Sequence, residues 1–299
     1  MKLNAYVLAA DPNFLAASID SYYRCVDRII VSYDRESTSW MGTPLPVAEC
    51  LEIIRSVDLE GKCVLAPGDY RGDGHDAMGC ETVQRREALA QASEQADWIL
   101  QLDTDEVVAA PAVFFGAVAK AERYGAQALD FPSRWLYARA PRARGGPPRF
   151  LEASSRWWGP AAGFPGPLAV RAGTRLTLAR QAADAVHFRI DFRSRSTDPW
   201  RSRSAVVHDV VALDHGVIHY SWVRSPEYML KKFASYGHAA ERTPAEYDTW
   251  VHRGQHPWST VLTAPLRPRG DRFRFATVAD PYTDAPNTLN ATHRSDDRS

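Results

Sequence analysis

Residues 84–108 have the sequence QRREALAQASEQADWILQLDTDEVV, and the prediction of the fold is based on this stretch. Apolar side chains at helical spacing predict a helix near Glu81–Gln95. The apolar run Trp98–Leu102 follows and has the length of a buried strand. Three acidic residues come directly after it. A helix, a buried strand and an acidic turn in this order are typical of an α/β sheet with a polar site where the strand ends.

Three further apolar runs upstream have the length of buried strands. They are Ala5–Ala9, Arg28–Tyr33 and Cys63–Ala66. Helical patterns separate them, the first capped by Asp11 and Pro12 and the second entered at Pro46. Apolar strands that alternate with helices predict a mostly parallel, twisted sheet covered on both faces. Because ligands bind beyond the carboxyl ends of such strands, Asp34 and Asp103 are expected to share one crevice.

The chain changes character after residue 126. The predicted elements of this half are strands at Ala128–Tyr137, Val206–Leu213 and Val217–Trp222 and a helix opened by Ser225 and Pro226. Residues 241–299 are rich in Pro, Asp, Arg and Thr, so we expect an irregular C-terminal extension that is partly disordered. Residues 1–240 are therefore expected to form one domain with two halves, 1–126 and 127–240.

The composition narrows the class of protein. Hydrophobic residues make up 45% and charged residues 24% of the 299 residues, as in an ordinary globular protein. A formal net charge of zero argues against a nucleic-acid-binding protein that depends on phosphate contacts. No apolar run is long enough for a membrane span or a signal peptide. We expect a cytoplasmic protein with reduced thiols, and peripheral contact with a membrane stays open.

The three carboxylates of Asp103-Thr104-Asp105-Glu106 require positive charge nearby. Carboxylates a few ångströms apart repel one another, and the sheet removes some of the water that screens them. Mg²⁺ or Mn²⁺, held by one or two carboxylates and by substrate phosphates, relieves that repulsion. The alternative is an acidic turn that caps a helix predicted at Pro111–Ala121. The preceding buried strand and the arginine-bearing helix favour a metal site.

Residues 84–108 resemble the central segment of the family 2 glycosyltransferases. The shared pattern is an arginine on a helix, an Asp-Trp pair, an apolar strand and D-x-D-E. The strand–helix–strand ending at Asp34 and the segment HYSW, residues 219–222, are similar to the same family. The resemblance implies a GT-A type fold and a nucleotide-sugar donor used with Mn²⁺ or Mg²⁺. It also implies that residues 1–126 bind the donor and residues 127–240 bind the acceptor.

The resemblance assigns roles to the first half of the site. Asp105 is implied as the direct metal ligand. Asp103 contacts the sugar–ribose part of the donor, or the metal through water. Asp34 contacts the nucleobase or ribose, and Arg85 faces the diphosphate. Arg86 stands where the family usually has asparagine.

The second half of the site rests on residues 206–222, VVHDVVALDHGVIHYSW. This segment resembles a V-H-E motif followed by an H-Y or H-H pair, with aspartate in place of glutamate. It implies Asp209 as the general base that deprotonates the acceptor and His219 as a third metal ligand or a diphosphate contact. Asp191 and Asp214 compete with Asp209 for the role of base.

Further residues complete the predicted site. Glu106 is a candidate catalytic residue that hydrogen-bonds the acceptor or orients its neighbours, and its alternative is an acidic residue favoured by the helix dipole. A platform for the acceptor is predicted from Trp135, Tyr137, Trp157 and Trp158, because sugar rings stack on aromatic faces; core packing is the alternative.

The predicted function is a metal-dependent glycosyltransferase that moves a sugar to a hydroxyl acceptor, with inversion. The acceptor is a saccharide, a lipid-linked intermediate or a small molecule. A sugar-phosphate nucleotidyltransferase is an alternative, although the first strand lacks the expected glycine-rich phosphate loop after it. A non-catalytic nucleotide- or carbohydrate-binding module is another.

Overall fold

The computed structural model describes most of the chain. The described ranges are residues 1–72, 76–142, 144–155, 158–194, 197–200, 205–235 and 243–281. Trp157, predicted for the acceptor platform, lies outside them, as does the C-terminal segment 282–299, for which the sequence predicts disorder.

Strands and helices alternate in the first 125 residues. The strands are β1 (Leu3–Leu8), β2 (Arg28–Asp34), β3 (Cys63–Gly68), β4 (Trp98–Gln101) and β5 (Glu106–Val107). The helices are α1 (Leu15–Tyr23), α2 (Val47–Val57), α3 (Ala77–Ala92) and α4 (Pro111–Tyr124). The four strands predicted here are all present, with ends displaced by at most two residues.

The second half is richer in short strands. They are β6 (Ala128–Asp130), β7 (Ser133–Ala140), β8 (Arg149–Ala153), β9 (Ala169–Arg171), β10 (His187–Phe192), β11 (Asp209–Val211), β12 (Val217–His219) and β13 (Phe273–Thr277). The helices are α5 (Pro226–Ser235), α6 (Pro244–Gln255) and α7 (Pro257–Leu262), with 3₁₀ turns at Leu213–His215 and Ala264–Leu266.

Eight strands form the central sheet, in the order β11-β10-β6-β9-β4-β1-β2-β3. All of these strands run parallel except β9, which is antiparallel to β4 and β6. Both faces of the sheet are covered, since Ala5 and Val7 of β1 pack into one apolar cluster and Tyr6 packs into another. The predicted α/β class and its mostly parallel central sheet are confirmed.

A second sheet of five strands has the order β13-β8-β7-β12-β5. The single strand predicted at Ala128–Tyr137 is divided between the two sheets, with β6 in the first and β7 in the second. Phe131 and Pro132 separate them, and Pro132 has no N–H with which to continue a strand ladder.

The segment after residue 240 is more regular than its composition predicts. Thr243 caps α6 through a reciprocal capping box with Glu246. Both α6 and the following helix, α7, begin with a proline. β13 then pairs with β8 and adds an edge strand to the second sheet. Among the described residues, no helix is long and apolar enough to cross a membrane.

Candidate functional site

The acidic segment Asp103-Thr104-Asp105-Glu106 connects the central sheet to the second sheet. β4 ends at Gln101 in the central sheet, and β5 begins at Glu106 in the second sheet. β5 pairs antiparallel with β12, which places His219 opposite Glu106. The Tyr220 N–H donates to the carbonyl of Asp105 at 2.9 Å. Strand pairing therefore brings the predicted histidine to the acidic residues.

Asp105 is buried among cationic side chains. Its Oδ2 accepts hydrogen bonds from Arg224 Nη2 at 2.9 Å and from Lys232 Nζ at 3.1 Å. His219 Nε2 lies 3.2 Å from Oδ1. Burial acts to raise the pKa of Asp105, but Lys232, His219 and Arg224 hold it well below its ordinary value. The charge of Asp105 is thus balanced by the protein itself.

His219 and Arg224 extend this network. Burial acts to lower the pKa of His219, but the carboxylates of Asp105 and Glu106 outweigh it and raise the pKa above its ordinary value. Arg224 also donates to Asp11 Oδ2 at 2.8 Å. Asp11 was predicted to cap α1, but that helix has Phe14 in the N-cap position and no side-chain cap. Asp11 instead links the loop after β1 to the cationic residues.

Asp103 is held by two arginines. Arg85 of α3 donates from Nε to Glu81 at 2.8 Å and from Nη2 to Asp103 Oδ1 at 2.8 Å. Arg180 Nη2 lies 3.6 Å from the other oxygen of Asp103. Burial acts to raise the pKa of Asp103, but Arg180 and Arg85 lower it to about 2. Arg85, predicted to face the diphosphate, also forms a hydrogen bond with the buried Tyr6 hydroxyl.

Glu106 is fully buried and paired with Arg180. Both guanidinium ends of Arg180 donate to the carboxylate at 2.6 Å, a bidentate geometry. Glu106 also accepts the Asp103 N–H at 2.9 Å. Both oxygens of Glu106 are therefore engaged inside the protein, and Glu106 is not a lining residue of the cavity described below.

Arg180, Arg224 and Lys232 are site residues that the sequence did not reveal. One signal was available for Arg180. Gln101 is a polar residue within the apolar strand, and a buried amide requires partners. It donates to the carbonyls of Pro167 and Arg180 at 2.6 and 3.0 Å, and this fixes the loop that carries Arg180.

Asp209 is not brought to this cluster. It begins β11 at the edge of the central sheet, with three strands between it and β4, which at the usual strand spacing corresponds to about 19 Å. The carboxylate pairs with Lys120 of α4, and this hydrogen bond lowers the pKa of Asp209 against the effect of burial. The V-H-D pattern can be recognised from three neighbouring residues. The distance of Asp209 from Asp105 depends instead on the order of the strands in the sheet. The structure therefore does not bring Asp209, which the resemblance implied as the general base, to the Asp105 cluster.

The two competitors of Asp209 do not line the cavity at the cluster either. Asp191 is buried at the end of β10 and accepts hydrogen bonds from the Phe192 N–H and from Thr197. Asp214 is exposed in a 3₁₀ turn.

Asp34 has a structural task at the end of β2. Its Oδ1 accepts the Glu36 and Thr38 N–H groups and the Thr38 hydroxyl, all within 3.1 Å, and Oδ2 accepts the Tyr70 N–H at 2.9 Å. Burial acts to raise the pKa of Asp34, but the Tyr70 and Thr38 bonds keep it below its ordinary value. Three of these hydrogen bonds end on Oδ1 and one on Oδ2, so Oδ2 keeps one acceptor site. Contact of Asp34 with a ribose or base stays a prediction.

A cavity of about 330 Å³ opens beside the cluster. Its charged lining residues are Glu81, Arg85, Asp103, Arg180, His219 and Lys232. Its aromatic lining residues are Trp135, Trp222 and Phe233. Trp135 Nε1 is buried and has no hydrogen-bond partner among the described residues. The cavity wall therefore combines three cationic side chains with two carboxylates, and the indole nitrogen of Trp135 is covered by Gly163.

The predicted acceptor platform is only partly assembled. Trp135 lines the cavity, and Tyr137 stacks on Trp222 with ring centroids 5.4 Å apart. Trp158 points elsewhere and donates to the carbonyl of Val261 at 2.8 Å. Of the described members of the platform, Trp135 alone is in the cavity wall.

The residues do not fit a divalent cation in this arrangement. Asp103, Glu106 and His219 could each offer a ligand atom, all within 4.8 Å of one another. Both oxygens of Glu106 are bound by Arg180, whose guanidinium also lies next to Asp103. Asp105, the predicted direct ligand, has each oxygen in contact with a cationic group. A divalent cation placed here would be repelled by the cationic side chains that already bind its would-be ligand oxygens.

Comparison with known proteins gives no family assignment. No protein-family model matches the chain, and no curated protein matches it. Among solved structures, the chain is similar to 4-diphosphocytidyl-2C-methyl-D-erythritol synthase from Anaerococcus prevotii. The identity is 12%, the TM-score is 0.34, and the match covers 57% of this chain and 71% of that one.

It is also similar to mannose-1-phosphate geranyltransferase from Thermus thermophilus. There the identity is 17%, the TM-score is 0.28, and the match covers 50% of this chain and 49% of that one. At these TM-scores neither structure assigns an activity. The chain is thus an α/β protein with a cavity at the carboxyl edge of its central sheet, lined by paired cationic and acidic side chains.

Proposed function

We propose that this protein is a glycosyltransferase that moves a sugar from a nucleoside diphosphate sugar to a hydroxyl acceptor. The observation that carries the proposal is the cavity at the end of β4, with Arg85, Arg180 and Lys232 in its wall. Ligands of parallel α/β sheets bind at this edge. The resemblance of residues 84–108 to family 2 glycosyltransferases supports the same activity.

The cavity suits both parts of the donor. Cationic side chains in a partly buried site bind an anionic diphosphate through charge-assisted hydrogen bonds. Trp135 and Trp222 add apolar ring surface on which the sugar can pack.

In the proposed reaction, the acceptor oxygen forms a bond to the anomeric carbon. The bond from that carbon to the β-phosphate oxygen breaks, and its electron pair goes to the departing nucleoside diphosphate. Arg85 and Arg180 stabilise the charge that develops there. The acceptor proton passes to a carboxylate, and among the described carboxylates Glu81 and Asp103 line the cavity. A single displacement of this kind inverts the anomeric centre.

The test compares two adjacent arginines of α3. Arg85→Gln removes a cation from the cavity wall, whereas Arg86→Gln changes an exposed side chain that donates to the carbonyl of Leu176 at 2.9 Å. Thermal stability is measured with UDP-, GDP- and TDP-sugars. A ligand at 100 times its Kd adds about 2.7 kcal/mol to the wild type, and we expect Arg86→Gln to keep this gain and Arg85→Gln to lose it. Stabilisation by none of the sugars would refute the proposal.

Two alternatives are distinguished by the products. A sugar-phosphate nucleotidyltransferase is the second candidate, because a wall with Arg85, Arg180 and Lys232 suits a nucleoside triphosphate as well. The solved structures above are named for a diphosphocytidyl compound and for mannose 1-phosphate. Pyrophosphate released from a nucleoside triphosphate and a sugar 1-phosphate would support this candidate. Binding of a nucleotide sugar with neither transfer nor hydrolysis would indicate a non-catalytic module.

A further inference from the structure

We propose that Arg85, Arg180 and Lys232 form a diphosphate-binding site that works without a divalent cation. This inference rests on the proposed function and assigns to protein side chains the task predicted above for Mn²⁺ or Mg²⁺. Arg180 and Lys232 become ligand-binding residues in addition to Arg85.

The first observation is that the carboxylates are neutralised within the protein. Within the described part of the chain, the carboxylates of this network are Asp11, Glu81, Asp103, Asp105 and Glu106. The cationic groups bonded to them are Arg85, Arg180, Arg224 and Lys232, with His219 beside Asp105. The repulsion that predicted a metal ion is thus already relieved by side chains.

The second observation concerns Arg85. Its side chain is 6% exposed and two of its three nitrogens are engaged, Nε with Glu81 and Nη2 with Asp103. The third nitrogen, Nη1, is buried, and Arg85 also forms a hydrogen bond with the buried Tyr6 hydroxyl. Because Arg85 lines the cavity and two carboxylates fix its position, it presents a pre-positioned positive charge to an anionic ligand there.

The third observation is the location of Lys232. The residue lies on α5 and lines the cavity, and its ammonium group bonds to Asp105 Oδ2 at 3.1 Å and to Ser221 Oγ at 3.2 Å. A compact ammonium group held against the second aspartate of D-x-D supplies positive charge where the metal was predicted. A phosphate oxygen can take the place of the Ser221 hydroxyl as an acceptor for Lys232.

Isothermal titration with UDP and GDP tests the inference on the full-length protein, once after treatment with EDTA and once with excess Mn²⁺. We expect the Kd of the preferred nucleotide to differ by less than about tenfold between the two conditions, which corresponds to 1.4 kcal/mol. Binding that appears only with Mn²⁺ would overturn the inference and leave the proposed function intact. No binding of either nucleotide in either condition would overturn the inference, whereas the proposed function is judged with the UDP-, GDP- and TDP-sugars above.

Two adjacent lysines of α5 give a matched pair. Lys232→Met is expected to weaken nucleotide binding in EDTA by about 10- to 100-fold, the range for loss of a hydrogen bond to a charged group. Lys231→Met, an exposed neighbour that does not line the cavity, is expected to keep the wild-type Kd. Circular dichroism checks that each variant is folded. Equal binding by both variants would remove Lys232 from the site.

The variant Asp105→Asn distinguishes two roles of Asp105, as a metal ligand or as a hydrogen-bond acceptor that holds Lys232 and Arg224. If Asp105 binds a metal that binds the diphosphate, this variant loses nucleotide binding. If Asp105 only holds Lys232 and Arg224, the amide oxygen still accepts from them and binding in EDTA persists within about tenfold of the wild type.

If Lys232→Met is unfolded, Lys232→Arg takes its place as the test. Lys232→Arg keeps the charge and is expected to retain binding, and its complete loss of binding in EDTA would count against the inference.

Discussion

Arg180→Met is expected to destabilise the protein strongly, because it removes the bidentate partner of buried Glu106 and leaves, among the basic groups of the described residues, only His219 Nδ1, 3.6 Å away, near that charge. Glu106 has no exposed surface and Arg180 is 2% exposed. The pair has two hydrogen bonds of 2.6 Å, and Arg180 also donates to the carbonyl of Gln101 at 2.9 Å. Methionine fills much of the volume of the side chain without replacing any of these donors.

The magnitude follows from the burial of the pair. Removing one partner of a buried ion pair typically costs about 3–5 kcal/mol in the free energy of unfolding. Arg171→Met is the matched control, because Arg171 pairs with Glu122 at 3.3 Å while the two side chains are 42% and 36% exposed. An exposed pair is worth about 0–1 kcal/mol. The structure thus predicts a difference of about 2–5 kcal/mol between the two arginine-to-methionine changes.

Urea denaturation followed by circular dichroism and tryptophan fluorescence measures both variants. The double variant Arg180→Met with Glu106→Gln removes the buried charge, so it is expected to be more stable than Arg180→Met alone by about 1–3 kcal/mol. The reasoning is refuted if Arg180→Met costs no more than Arg171→Met, or if the double variant loses the sum of the two single changes.

Two other predictions concern the fold. Removal of residues 241–299 is expected to lower the melting temperature or abolish folding, because β13 covers the edge of β8 and Arg274 pairs with buried Glu152 at 2.8 Å; an unchanged melting curve would mean that residues 1–240 fold alone. A hydrogen bond to Asp130 raises the pKa of His187 despite burial, so charged His187 stabilises the fold fully below about pH 6.5 and less as pH rises through the raised pKa. The stability difference between wild type and His187→Gln should therefore shrink with rising pH in urea titrations, and a difference that grows would contradict this.

The central sheet was predictable because its signals are local. The apolar runs that form β1 to β4 have the length and pattern of buried strands whatever they pair with, and their observed ends differ little from the predicted ones. The second half was less predictable. A single apolar run became β6 and β7 in different sheets, because a change of sheet at Pro132 depends on long-range pairing.

Local sequence patterns were sufficient to show that Asp103, Asp105 and Glu106 follow a buried strand and that Arg85 lies on the preceding helix, since both facts depend on spacing within 25 residues. The cationic side chains that pair with these carboxylates could be identified only from the folded chain. Arg180 lies 74 residues from Glu106, and Lys232 lies 127 residues from Asp105. Strand pairing places His219 beside the cluster and leaves Asp209 at the far edge of the sheet. An ion pair depends on distance in space, which local sequence patterns do not specify, so the cations that pair with these carboxylates became apparent only in the folded chain.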